Sequence, residues 1–324
     1  MNSSALDTIR QRQLYLWTAT NAHDSVRPHL APAVAELDAF VDRILAQQIW
    51  DPTSPDHGNP VGHPVTPAEV TFGTQYFGYM DRMARMWRCP FSKHSRSAAV
   101  LERTLGALRF LERFVRPDAP RDGSWFYWDI WCPSVLSRML IMLGDEIPAD
   151  LRARLAEDLA HLPAKVFTLD RQLGITRPPI QAGYNNLEIL HTGLLRGVAL
   201  HDPQWLTTVT QQIPIAMGRA PGGEGLQNEW SYHFHGHGVN AGYGLGSLIL
   251  QGHWLYLTHG TPWQVPTEVR ELHVGMIREF FARNMWRGRV APYSIDRGIA
   301  GPGQIHATSY IIGILYGLNT DLPA

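Results

Sequence analysis

Leu101-Glu102-Arg103-Thr104-Leu105-Gly106-Ala107-Leu108-Arg109-Phe110-Leu111 places leucines at steps of four, three and three, with charged residues between them. Steps of three and four return to one face of a helix with about 3.6 residues per turn, so the stretch reads as amphipathic α-helix rather than strand. The same spacing recurs upstream in Val34, Leu37, Val41, Ile44 and Leu45. Downstream it recurs in Leu151, Leu155, Leu159 and Leu162, and again in Val269, Leu272, Met276, Ile277 and Phe280. Further helix-like segments fall near 68–88, 133–145, 186–200, 203–218, 239–258 and 306–317. Two-residue alternation is almost absent, which limits strands to short hairpins, with 287–297 as the candidate. The fold class is all-α.

Pro- and Gly-rich connectors separate these segments at 51–67, 116–124, 173–184, 219–230 and 287–303. Proline ends helices sterically and glycine supplies positive φ, so these are loops, several of them longer than a compact bundle needs. Long loops in a helical protein tend to carry function. About ten helices joined by alternating short and long loops predict an incomplete (α/α) toroid of helical hairpins, with the long loops gathered into a cleft. The alternative is a helical stack without a cleft. No repeat of 20–50 residues is visible, which argues against a simple solenoid.

With 324 residues the chain can bury a large core, and 44% hydrophobic against 18% charged residues marks a globular protein. A net charge of −1 without any Lys/Arg run argues against sequence-independent nucleic-acid binding. A few local arginines would still suffice for an anionic glycan. No apolar run is long enough to span a membrane. The start, MNSSALDTIRQRQLYLW, has amphipathic helical spacing and lacks the basic and apolar regions of a signal peptide, which leaves localisation open. Cys89 and Cys132 are expected to be buried free thiols. The sequence is silent on oligomeric state.

Four clusters carry candidate chemistry. Ser124-Trp125-Phe126-Tyr127-Trp128-Asp129-Ile130-Trp131 holds five aromatics in seven residues from Trp125. They cannot all face one core, so some are expected in a groove, where flat rings stack on sugars. The bland alternative is an aromatic-rich start of a core helix. Gln181-Ala182-Gly183-Tyr184-Asn185-Asn186 ends in two asparagines that suit either a helix N-cap or a carboxamide aimed at a substrate carboxyl. Glu224-Gly225-Leu226-Gln227-Asn228-Glu229-Trp230-Ser231-Tyr232-His233-Phe234-His235-Gly236-His237-Gly238 sets three histidines at alternate positions, with Asn240-Ala241-Gly242-Tyr243-Gly244 following. A zinc site, acid/base chemistry by a His and a Tyr, and plain structural hydrogen bonding all remain open there. Arg287-Gly288-Arg289 and Tyr293-Ser294-Ile295-Asp296-Arg297 offer guanidinium groups suited to carboxylates, or a solvated basic turn.

In this order the clusters resemble the α-domain of the polysaccharide lyase family 8 group: hyaluronate, chondroitin AC and xanthan lyases and their relatives. The family's Asn-Trp-Trp motif and following acidic-Ile pair correspond to Ser124-Trp125-Phe126 and Asp129-Ile130. Thr-Gly-Ala-Asn corresponds to Ala182-Gly183-Tyr184-Asn185, and Asp-Gly-Ser-Phe-x-Gln-His to Glu229 through His235. Gly-x-Tyr-Gly corresponds to Ala241-Gly242-Tyr243-Gly244, and the arginine motif to Arg287 through Arg297. The likeness spans roughly 95–300, and each motif is degenerate.

The resemblance implies a catalytic domain over 1–324 that is a single (α/α) toroid, without the C-terminal β-sandwich domains of typical members. It implies β-elimination on an acidic polysaccharide with no metal and no cofactor. Asn185 would neutralise the uronate carboxyl, while His235 and Tyr243 would handle the protons, with Arg297 and Arg289 near the leaving oxygen. Trp125, Phe126, Trp128, Tyr184, His233 and Glu229 would bind substrate. The His-to-Tyr interval is one residue shorter than the family's, which keeps Tyr232 as the alternative phenol and His233 as the alternative imidazole. Neutralising the carboxyl is what makes its neighbouring carbon acid, so these residue types suit the chemistry. Two other functions fit the same residues. One is a toroidal glycoside hydrolase using two of Glu224, Glu229 and Asp129; the other is a glycan-binding domain without turnover.

Overall fold

The structure is a computed structural model that describes residues 2–46, 74–119, 126–162, 182–234, 238–286 and 289–290. By internal contact the chain divides into two units. A scaffold unit comprises Arg10–Lys165 and Val198–His201, and a motif unit comprises Met1–Ile9, Val166–Gly197 and Asp202–Ala324. Helix α1 (Asn2–Thr18) runs from the motif unit into the scaffold unit.

The scaffold unit continues with α2 (Arg27–Leu45), α3 (Thr74–Arg88), α4 (Ala98–Val115), α5 (Cys132–Leu143) and α6 (Ala149–His161). Each start has a local cause. A short 3-10 turn at Asp24–Val26, with the Ser25 N–H donating to His23 Nδ1, leads into α2. Ser97 Oγ accepts the Val100 N–H at the head of α4, which satisfies one of the donors a first turn leaves unpaired. Pro133 occupies the first turn of α5, and Gly144 ends that helix at φ +57°. Helix α3 packs on α4 and α5, α2 on α3, and α6 on both α4 and α5. The buried line of α4 is Val100, Thr104, Ala107, Leu108, Leu111 and Val115, about one residue round from the leucine stripe, so Leu101 and Leu105 sit half-buried at its border. Leu151, Leu155 and Leu159 of α6 are all buried, as their spacing predicts. Between α3 and α5, Asp81 receives Arg85 at 2.6 Å and Arg138 at 3.4 Å. Cys89 and Cys132 are buried free thiols.

The motif unit is built from α7 (Tyr184–Ala199), α8 (Pro203–Thr210), α9 (Ile213–Ala216), α10 (Ala241–Thr258), α11 (Thr267–Met276) and α12 (Ala282–Asn284). Two antiparallel two-stranded hairpins accompany them. Strands β1 (Gly225–Leu226) and β2 (Tyr232–His233) form one, and β3 (Met285–Trp286) and β4 (Arg289–Val290) the other, at the near end of the expected 287–297 hairpin. The predicted helix at 203–218 is interrupted. Helix α8 ends at Thr210 and α9 begins at Ile213, and Pro214 lacks the N–H that a continuous helix would use there. Helix α10 is apolar nearly all round, as a helix buried on most sides must be. Its Leu245 and Leu248 share a core with Leu226, Tyr232, Phe234, Met276, Phe280 and Phe281. No helix among the described residues is long and apolar enough to cross a membrane. The expected helix at 306–317 lies outside the described residues.

Candidate active site

Glycines bring the second and third sequence clusters together in the motif unit. The Gly183 carbonyl accepts the Leu187 N–H at 3.1 Å, so Gly183 precedes the first turn of α7 and Asn185 and Asn186 lie inside that turn. The N-cap reading of the two asparagines therefore fails, since neither occupies the cap position. Gly183 and Gly225 both have positive φ, +129° and +124°. A Cβ on Gly225 would stand 3.0 Å from the Ala182 Cβ and 3.3 Å from the Gly183 nitrogen. Bare backbone at both positions lets the start of α7 abut the β1–β2 hairpin.

That hairpin turns through Gln227–Ser231, closed by Gln227 N–H to Ser231 carbonyl at 2.8 Å and Trp230 N–H to Gln227 carbonyl at 3.1 Å. Trp230 holds φ +73°, a left-handed conformation costly for a bulky residue. Its indole is gripped on two sides. The Arg219 guanidinium lies 3.9 Å from the ring centroid, and a Cβ on Gly275 of α11 would fall 2.2 Å from the ring. Arg219 is fixed in turn by the carbonyls of Gln227, at 2.5 Å, and Asn228, at 3.0 Å.

Three rings meet where α7, β2 and α10 come together. Tyr243 lies 4.0 Å from Phe234 between centroids and 5.3 Å from Tyr184, which meets it edge-on. Tyr184 is also perpendicular to Phe234 at 6.3 Å. Tyr243 belongs to the first turn of α10, where its N–H donates to the side chain of the buried N-cap Asn240 at 3.1 Å. The Asn240 N–H in turn donates to the Tyr232 carbonyl at 2.6 Å, tying the helix start to β2. Tyr243 is half-buried, whereas Tyr232 is 2% exposed and its phenol is pushed well above the ordinary range by burial. Of the two tyrosines left open by the sequence, Tyr243 alone is not fully buried.

Tyr184, expected at the substrate, is half-buried. Its hydroxyl donates to Glu188 Oε1, one turn along α7, at 2.7 Å. Burial raises the Glu188 carboxyl to about 7, against the opposing effect of that hydrogen bond. Burial, with Glu188 beside it, also raises the Tyr184 phenol.

His233 anchors a second polar chain. Ser231 Oγ contacts Glu229 Oε1 at 2.5 Å and His233 Nε2 at 3.0 Å. The Ser231 hydroxyl has one proton, and the carboxylate takes it, which makes His233 Nε2–H the donor to Ser231 and leaves Nδ1 as the acceptor of the neutral ring. Glu229 is exposed, and its carboxyl is lowered chiefly by the Ser231 hydrogen bond, then by its own backbone N–H, with His233 and Arg219 adding to it.

The first cluster, in the scaffold unit, departs from expectation. Tyr127–Trp131 forms a π-helical turn leading into α5. The wider turn sends Trp128, Asp129 and Ile130 all inward, and Trp128 is only 4% exposed, so its ring is core rather than a sugar platform. Phe126 and Trp131 remain half-buried, with ring centroids 6.3 Å apart. Asp129, considered for hydrolysis, is 1% exposed. Trp125, His235, His237 and Arg297 lie outside the described residues, and of Arg289 the strand placement alone is described. Among the described residues no group of three His, Cys, Asp or Glu is placed to hold a metal. Sequence reasoning passed over Glu188, Asn240 and Gly246. An acidic residue four after a tyrosine looks like a solvated helix pair, and only burial distinguishes it.

Comparison with known proteins gives the family and the fold. The profile of the polysaccharide lyase family 8 N-terminal α-helical domain matches residues 20–309. The hyaluronate lyase HylA of Cutibacterium acnes is 22% identical over 267 residues, 79% of this chain and 32% of that protein. A xanthan lyase of Paenibacillus superposes with a TM-score of 0.83 at 16% identity, covering 100% of this chain and 30% of that one. A chondroitin AC lyase of Streptomyces coelicolor A3 gives 0.76 at 22% identity, covering 98% and 43%. The chain thus spans roughly a third to under a half of the relatives it matches, and the likeness gives the fold as an (α/α) toroid. With a family profile matched from residue 20 to residue 309, the chain belongs to polysaccharide lyase family 8, as its N-terminal α-helical domain.

Proposed function

We propose that this chain carries the catalytic residues of a polysaccharide lyase that cleaves a uronic-acid-containing glycan by metal-independent β-elimination. The supporting observation is the meeting of the Asn185-bearing turn of α7 with Tyr243. Tyr184, next to Asn185, touches the Tyr243 ring, and Phe234 holds that ring from another side. In the reaction a base removes the proton on the carbon beside the uronate carboxyl. The electron pair passes through an enediolate and then forms a carbon–carbon double bond as the glycosidic C–O bond breaks. Asn185 bears on the carboxyl and lessens the charge that develops there. His235 and Tyr243 exchange the protons, Tyr243 giving one to the departing oxygen. Arg289 and Arg297 act near that oxygen, and Trp125 and Phe126 stack on sugar rings. His233, oriented by Ser231 and Glu229, contributes an acceptor nitrogen or, when protonated, a donor to the bound chain. The relatives are named as hyaluronate, xanthan and chondroitin AC lyases, and one was solved with chondroitin sulphate, which supports an acidic polysaccharide as the substrate class.

The test is a panel of hyaluronan, chondroitin, glucuronan and xanthan, read for the ultraviolet absorbance of an unsaturated uronate. Elimination yields that product and hydrolysis does not. Turnover should survive a chelator. New reducing ends without the absorbance would turn the assignment to a hydrolase.

A further inference from the structure

Tyr184 opens α7 directly before Asn185. The surrounding structure is shaped to accept its ring. Gly246 on α10 leaves the space it fills, since a Cβ there would lie 2.6 Å from the Tyr184 ring. The ring stands perpendicular to Phe234 and edge-on to Tyr243, and its hydroxyl is committed to Glu188 at 2.7 Å. Glu188 is itself largely buried, and its second oxygen, Oε2, has no hydrogen-bond partner among the described residues. A core needing only volume would place Phe and Leu at these positions, because burying a carboxyl carries a desolvation cost that apolar packing avoids. A hydroxyl locked to a buried acceptor instead fixes both tilt and depth of the ring that bears it.

From this arrangement we infer that Tyr184 and Glu188 are a positioning pair for Tyr243: Glu188 fixes the Tyr184 hydroxyl, and the Tyr184 ring edge holds Tyr243 against Phe234. Neither residue exchanges a proton with substrate. Their contribution is to keep the Tyr243 phenol in one orientation beside the turn that carries Asn185. Small displacements of a proton-transferring group are costly, and an error of about 1 Å can lower turnover by about a hundredfold. The kinetic arm of the inference rests on the lyase reading; the structural arm does not.

Both arms are tested on the full chain. Tyr184→Phe keeps the ring and loses the anchor, Glu188→Leu removes the acceptor, and Glu188→Gln keeps an amide oxygen that still accepts. On whichever panel polysaccharide the parent turns over, Tyr184→Phe and Glu188→Leu should each lower kcat about tenfold, with KM within about twofold. Glu188→Gln should restore kcat to within about threefold of the parent. Fluorine NMR of 3-fluorotyrosine at position 243 should give one narrow line in the parent and in Glu188→Gln. Tyr184→Phe and Glu188→Leu should give a broadened or divided line. Parental kcat and an unchanged fluorine line in both Tyr184→Phe and Glu188→Leu would overturn the inference. If the parent forms no unsaturated product while the line still divides in the two variants, the lyase reading falls and the positioning pair stands.

Discussion

Two packed clusters, one in each unit, are made of different kinds of residue. In the scaffold unit the interior where α3, α4, α5 and α6 pack is aliphatic and sulfur-rich, with Met80, Met83, Leu108, Leu111, Val135, Leu136, Met139 and Leu155 all inaccessible. In the motif unit the cluster holds Tyr232 and Phe234, with Tyr184 and Tyr243 packed against it, and the same unit encloses Gln251 and His273. It also holds left-handed Trp230 and the positive-φ glycines Gly183 and Gly225. Interiors of the first kind gain stability from apolar area and close packing. Those of the second kind give up some of that gain to hold polar groups in fixed positions, as functional sites do. The contrast belongs to these two clusters, since the scaffold unit buries carboxyl groups of its own at Asp38, Glu112, Asp129 and Asp158.

Substitution should separate the two in descending order of effect. Leu111→Ala, at the centre of the scaffold interior, should lower unfolding free energy by about 2–5 kcal/mol in a denaturant titration, while the remaining folded protein keeps the parental kcat. A loss of kcat in that folded fraction would erase the division of labour. Tyr243→Phe and Asn185→Ala should do the reverse, each cutting turnover at least about a hundredfold at a Tm near the parent's. Near-parental rates in both would remove the site assignment. Gly275→Ala, which drives a methyl into the Trp230 ring, should cost about 1–3 kcal/mol of stability and release the indole, read as a shift in tryptophan emission.

The smallest contrast is in pH, and its sign differs between a buried carboxyl of the scaffold unit and a buried imidazole of the motif unit. Burial, helped by Glu112 and Glu157 and opposed by Arg116 and His161, raises Asp158 of the scaffold unit from 3.8 to about 7. A carboxyl that holds its proton more tightly when folded costs stability as pH rises from about 4 to about 7. Asp158→Asn should therefore gain Tm over the parent across that rise. In the motif unit burial lowers His273 from 6.5 to about 4, and the ring stays neutral against Gln251. The unfolded chain then binds the proton first, and stability is lost as pH falls from about 6.5 to about 4. His273→Gln should make that acid limb shallower, with His253 supplying what remains, and leave the Asp158 effect untouched. Melting curves of the two variants over this range decide both signs.

The same division sets how much was legible in advance. Spacing alone located the helices of the scaffold unit, because an aliphatic interior leaves a clean three-and-four pattern such as Leu151, Leu155 and Leu159. It misplaced Trp128, because a π-helical turn changes which residues share a face, and nothing in an aromatic run announces one. It named Asn185, Tyr243 and Tyr184 from motif order, and the coordinates set Tyr184 against Tyr243 across about sixty residues of chain. It missed Glu188 and Asp158, since each reads as an ordinary acidic position on an amphipathic helix until a neighbouring element covers it. Asn240 was hidden for another reason: a cap is recognised once a helix start is fixed, and the glycines around 236–244 blur that start.

Trp230 implies an unusual rule for substitutions at its position. Its backbone angle favours residues with little or no side chain, yet the slot between Arg219 and Gly275 is filled only by a large flat ring. Intermediate residues such as Leu or Val satisfy neither demand. Saturation of this codon should thus give two separate islands of tolerated sequence, one around Gly and Asn and one around Trp. The two islands are separated by the whole indole rather than by a graded change in side-chain size.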